Sequence, residues 1–153
     1  MKHKALALVL FLLSISTSIF SQSNFNSIDF GSVDSLARSI KYENDLVKLT
    51  KELITPYSDN ISKVRALFIW ITENIQYDYK FVNKGKEVKA PDCKTNINCA
   101  ATLKEWENAY IKKVLEKKKG VCDGYSRLFK KMCDIAGIES EIVSGYIKVS
   151  LTR

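Results

Sequence analysis

The chain has 153 residues, a formal net charge of +7, 46% hydrophobic and 10% aromatic residues, and two prolines. That length builds one small domain around one core. The composition excludes a disordered or collagen-like polypeptide, and no internal repeat occurs at a useful period.

Residues 1–21 read as a cleavable signal peptide. Lys2 and Lys4 give the positive start, Ala5 to Phe20 is an apolar run broken by small hydroxyls, and a serine follows. A transmembrane anchor needs about 20 strongly apolar residues. Here the Leu/Val/Phe-rich part stops at Leu13, ahead of Ser14, Ser16, Thr17 and Ser18, so no stable membrane anchor is expected. No cysteine at the junction offers a lipid attachment point, and the expected location is periplasmic or extracellular. Cleavage removes two lysines and no acids, leaving 22 Lys+Arg against 17 Asp+Glu, a mild +5. The lysines fall in short clusters such as Lys117, Lys118 and Lys119 at a helix end, where cations suit the helix dipole. They form no stripe interleaved with aromatics, so a solvated basic face is expected and nucleic-acid binding is not. Cleavage also removes His3, the only histidine of the sequence.

Residues 22–58 are expected to form an N-terminal arm and helices. Phe25, Ile28 and Phe30 in a Ser/Asn-rich stretch suggest an extended arm over 22–31. Leu46, Leu49 and Leu53 predict a helix over 42–54, ended by Thr55-Pro56 because a residue before proline avoids the helical region. Asn60 is the expected cap of a central helix carrying Ile61, Val64, Leu67, Phe68, Ile71 and Ile75 at helical spacing, with Ile69 and Trp70 widening the stripe. Residues 81–102 lose all periodicity and read as a long surface loop. Leu103, Trp106, Tyr110 and Val114 mark an amphipathic helix that runs out in the lysines before Gly120.

Residues 121–136 predict a further helix with Leu128, Phe129, Met132, Cys133 and Ala136 on its apolar side. Gly137 is placed for the left-handed cap, with Ile138 supplying the accompanying apolar contact. Residues 141–149 alternate, with Val143, Ile147 and Val149 on one face, and read as a strand. One strand cannot satisfy its own backbone groups, so further strands are expected beyond Arg153.

The four cysteines of an exported chain suggest disulfides first. Cys93 and Cys99 share the irregular loop, and a bridge between them is favoured over free thiols because it restrains the unfolded chain. Zinc is disfavoured: Cys93, Cys99, Cys122 and Cys133 lack paired CxxC spacing, and no cofactor or metal is expected. The same lack disfavours thiol–disulfide exchange. Cys133 lies in the apolar stripe of its helix and reads as core. Cys122 follows Gly120-Val121 and opens the first turn of a helix, where unpaired amide donors and a partial positive charge favour a thiolate, helped by Lys117, Lys118 and Lys119 and opposed by Asp123. Gly120 frees the turn, and Gly124 leaves room for a substrate or a neighbouring backbone. Cys122 also shares a helical face with Ser126, Phe129 and Cys133, which suits burial, so position alone favours a packed, inert side chain.

Three stretches of the sequence resemble the transglutaminase-like superfamily. They are Lys63-Val64-Arg65-Ala66-Leu67-Phe68-Ile69-Trp70-Ile71 with Asn74-Ile75-Gln76-Tyr77-Asp78, then Gly120-Val121-Cys122-Asp123-Gly124-Tyr125-Ser126 with Leu128-Phe129, then Ala136-Gly137-Ile138 leading to Val143-Ser144-Gly145-Tyr146. The resemblance implies an α+β, papain-like transglutaminase-core fold, with residues 59–153 forming a partial domain: the mostly helical half and the first core strand. It implies that Cys122 is the catalytic nucleophile, attacking an amide carbonyl of a protein or peptide substrate to form a thioester. The family takes its histidine and acidic partner from strands that follow the Gly-Tyr strand, and neither occurs within these 153 residues. The expectation is therefore an incomplete thiol acyltransferase or hydrolase, with a non-catalytic exported binding or structural module of the same fold as the alternative.

Overall fold

A computed structural model describes residues 30–93 and 98–145. The signal-peptide reading, residues 22–29 of the expected arm and residues 146–149 of the expected strand lie outside these described residues. In chain order the described part runs through α1 (Phe30–Ser39), α2 (Leu46–Ile54), α3 (Asn60–Asn74), β1 (Gln76–Tyr77), α4 (Tyr79–Asn83), α5 (Cys99–Lys117), β2 (Lys119–Gly120) and α6 (Cys122–Ile135).

The apolar stripe of α3 makes it the central helix, packed against α1, α2 and α6. Trp70 is 1% exposed, and its indole Nε1 donates to the Ile40 carbonyl over 3.0 Å, satisfying the polar end of an otherwise buried ring. Leu49, Leu53, Leu67, Leu128 and Met132 belong to the same buried core cluster. The stripe is narrower than its sequence suggests, because Ile61 and Phe68 are exposed, Phe68 by 52%. Ser62 and Ala66 take buried places instead, since small residues let neighbouring helices approach closely.

Caps decide where the helices begin. Asp59 rather than Asn60 is the N-cap of α3, its carboxylate accepting from the Ser62 amide at 2.8 Å. Helix α2 begins at Leu46 rather than residue 42, because Asn44 turns the chain with a φ of 64° and Asp45 caps from the extended region. The expected arm is already helical at Phe30 and Gly31, where Val33 and Ala37 bury against α3. The expected loop over 81–102 is trimmed at both ends, by α4 and by the first turn of α5.

The described sheet consists of β1 paired in parallel with β2, Gln76 opposite Lys119 and Tyr77 opposite Gly120. Hydrogen bonds from Gln76 N to Lys118 O (2.9 Å) and Asp78 N to Gly120 O (2.8 Å) flank the pair. Two-residue strands carry no readable periodicity, and the sequence analysis places none here. The expected strand over 141–149 is not formed in its described part: residues 141–145 are irregular and Val143 is 87% exposed. A strand needs a neighbour to receive its amides, and none pairs with this segment among the described residues.

The end of α6 follows expectation. Gly137 adopts a φ of 70°, its amide donates to Asp134 O, and the Ile138 amide donates to Cys133 O at 2.9 Å, while Ile138 packs on the core. The described residues are thus mostly helical with one small sheet, consistent with the mostly helical half that the resemblance implies.

Candidate active site

Cys122 is the first residue of α6, and Val121 ahead of it has the extended conformation of an N-cap without a capping side chain. The amides of the first helical turn therefore receive no bond from that residue's side chain. Cys122 is exposed, which overturns the reading that its helical face buries it, whereas Cys133 is 1% exposed and belongs to the core as expected. The difference is one of position: Leu128, Met132 and Cys133 belong to the buried core cluster, and residue 122 at the helix start does not. Burial pushes the Cys133 thiol up and keeps it protonated. Cys93 and Cys99 form a disulfide, as expected for the loop. With that pair joined, and residues 122 and 133 separated by about 16 Å of helix, the four sulfurs do not converge on one ion. Among the described residues no group of three or more His, Cys, Asp or Glu side chains is placed to hold a metal.

The segment leading into Cys122 is held on both sides. The β1–β2 pair fixes residues 118–120 against the end of α3, and Lys119 Nζ lies 3.9 Å from Asp78 Oδ1. Asp78 in turn caps α4 by accepting from Phe81 N. Tyr125, one turn into α6, donates its hydroxyl to the Ile75 carbonyl. Gly120 has no positive φ; it is buried, and a Cβ there would stand 3.4 Å from Val114 Cγ1. Gly124 is needed more strictly. A Cβ at that position would meet Val114 Cγ2 at 3.1 Å and the Tyr110 hydroxyl at 3.2 Å, so it is α5 that takes the room left by the missing side chain.

On the other flank Arg127 binds two carboxylates, Nε to Asp123 Oδ2 at 2.9 Å and Nη1 to Glu107 Oε1 at 3.0 Å. Its guanidinium carbon lies 4.9 Å from the centre of the Trp106 ring, which stacks on Tyr110 at 5.5 Å. The arginine thus offsets the Asp123 charge beside Cys122 and ties α5 to α6. Burial, reinforced by the Asp123 charge, pushes the Tyr110 phenol up to about 12. Tyr110 is therefore held as the neutral phenol at physiological pH.

Sequence reasoning isolates Cys122 but misses Tyr110, Arg127 and Asp78. A signal for the first two exists in the i, i+4 spacings Trp106–Tyr110 and Asp123–Arg127, which place each pair on one helical face. Nothing local shows that the two faces meet.

Residues 89–151 match the family model described as Transglutaminase-like superfamily. Two curated relatives, each called Kyphoscoliosis peptidase, one from Mus musculus and one from Homo sapiens, are 29% identical to this chain over 119 residues, which is 78% of the chain and 15% of each relative. The match thus covers about a seventh of the length of those relatives. No solved structure matches. The segment 89–151, which contains Cys122, is thus similar to the transglutaminase-like superfamily.

Proposed function

We propose that this chain is an exported transglutaminase-like protein in which Cys122 occupies the nucleophile position of a thiol-dependent acyl transfer or hydrolysis on protein amide bonds. The observation that carries this reading is the exposure of Cys122 at the start of α6 inside the family-matched segment, while Cys133 on the same helix is buried. In the first step the sulfur attacks the amide carbonyl, the amine leaves with a proton, and a thioester remains for water or a second amine. That proton transfer needs a base, and His3 in the signal-like segment is the only imidazole of the sequence. These residues supply the thiol and its helix, and on this reading an imidazole is the group that the cycle still needs. The papain-like fold belongs to the same proposal. Export is supported by the signal-like residues 1–21 and by the Cys93–Cys99 disulfide, which persists in oxidising compartments.

Iodoacetamide labelling of the purified chain near neutral pH, mapped by mass spectrometry, tests the nucleophile. Cys122 is expected to alkylate faster in the folded chain than in the same chain in urea, with Cys133 protected until unfolding. Equal rates for Cys122 in both states would sink the reading. The missing imidazole favours a second reading, a non-catalytic exported binding or structural module, which predicts that equality together with no release of amine from glutamine-containing peptides.

A further inference from the structure

A cleft of about 290 Å³ lies between α4 and the C-terminal half of α5 and ends on Gly120 and Val121, directly ahead of Cys122. Its apolar lining comes from Phe81, Val88, Val114 and Val121, with Tyr110 shared with the Cys122 surroundings. Its remaining lining is strongly basic: Lys86, Lys113, Lys117 and Lys119 against the single carboxylate of Asp78. Asp78 is near Lys119 at 3.9 Å, and among the described residues Lys86, Lys113 and Lys117 have no carboxylate within ion-pair distance. Three ammonium groups therefore border an apolar recess big enough for one or two side chains.

We propose that this cleft docks a polypeptide segment in which an apolar side chain is flanked by aspartates or glutamates. The apolar residue fills the recess and the flanking carboxylates meet the lysines. The cleft is lined by lysines and no arginine, so it lacks the planar forks that favour phosphate, and its concave apolar floor suits a side chain better than a sugar-phosphate backbone. Calling the bound segment a substrate rests on the nucleophile reading above, whereas the binding itself does not.

The test is fluorescence anisotropy with the purified full chain carrying Cys122→Ser, so that no turnover contributes. The probes are fluorescein-labelled Asp-Asp-Leu-Asp-Asp, its Asn-Asn-Leu-Asn-Asn counterpart, and a single-stranded oligonucleotide of equal charge. The acidic peptide is expected to bind roughly tenfold or more tightly than the neutral one at low salt, and to lose most of that advantage between about 50 mM and 500 mM NaCl. The double variant Lys113→Glu/Lys117→Glu should weaken its binding by roughly tenfold or more, Lys113→Gln/Lys117→Gln by less, and Lys51→Glu, outside the cleft, by under about twofold. Far-ultraviolet circular dichroism checks that each variant is folded. Equal binding of acidic and neutral peptides, indifference to the cleft variants, or tighter binding of the oligonucleotide would overturn the proposal. Acidic-peptide binding together with equal alkylation rates of Cys122 in the folded and the urea-unfolded wild-type chain would overturn only the catalytic reading.

Discussion

The Tyr125 hydroxyl donates to the Ile75 carbonyl, joining the helix that begins with Cys122 to the point where the central helix gives way to β1. The two residues lie 50 positions apart in the chain. Together with the β1–β2 pair the bond fixes the approach to Cys122 from its α3 side. Tyr125→Phe keeps the ring among Tyr77 and its neighbours and deletes only the donor. It is expected to lower the unfolding free energy by about 1–2 kcal/mol, measured by urea titration, and to slow Cys122 alkylation in the folded chain. An unchanged urea midpoint would show that the bond contributes nothing net.

Arg127 serves the opposite flank, bridging Asp123 and Glu107 beneath Trp106. Its side chain is only 25% exposed, so the pairs are less screened than surface ones. Arg127→Ala is expected to cost about 1–2 kcal/mol. Lysine at the same position should restore less than half of that, because an ammonium can neither fork between two carboxylates nor stack as a plane. Full rescue by Arg127→Lys would reduce the cluster to a simple point charge.

Gly124→Ala sets helix propensity against packing. The substitution would gain up to about 1 kcal/mol in a free helix. Here the new methyl meets Val114 Cγ2 at 3.1 Å and the Tyr110 hydroxyl at 3.2 Å, and Val114 is buried with a stiff side chain. A net loss of about 1 kcal/mol is expected. Adding Tyr110→Phe removes one of the two clashes and should recover part of it, so the double variant read by thermal melting separates crowding from any other cause.

The Arg65 guanidinium forms two bonds of 2.7 Å to the Asp34 carboxylate and holds its pKa below the ordinary value. A carboxylate depressed in this way adds stability that is present above its unfolded pKa, about 3.9, and is lost as pH falls through the folded one. The unfolding midpoint in urea should therefore drop as the chain is acidified below about pH 5. Asp34→Asn, which has no such proton to take up, should start lower at neutral pH and fall less. Parallel pH profiles for the two proteins would exclude the pair as a source of acid lability.

The candidate site was partly legible because its main signal is local. Cys122 behind Gly120-Val121 at a helix start, the Gly137 cap with Ile138, and the placement of Cys133 in an apolar stripe can each be read from fewer than a dozen neighbouring residues. Their geometry follows from helix periodicity and from the left-handed freedom of glycine. The helix starts were less legible. Asp59 and Asn60 are both good caps, and which one leaves the helical region depends on how α3 docks.

What the sequence by itself determined, then, was the helical character of the chain, the central position of the Trp70 helix and the identity of the residue that opens α6. Only the tertiary structure decided that Cys122 is exposed, that Gly124 yields its space to Tyr110 and Val114 rather than to a ligand, and that β1 pairs with β2 across more than 40 residues. The physical reason is separation along the chain. Periodicity reports which face of a helix is apolar, but where that face ends and which distant side chain fills a gap depend on docking angles summed over every contact, and no local spacing encodes them.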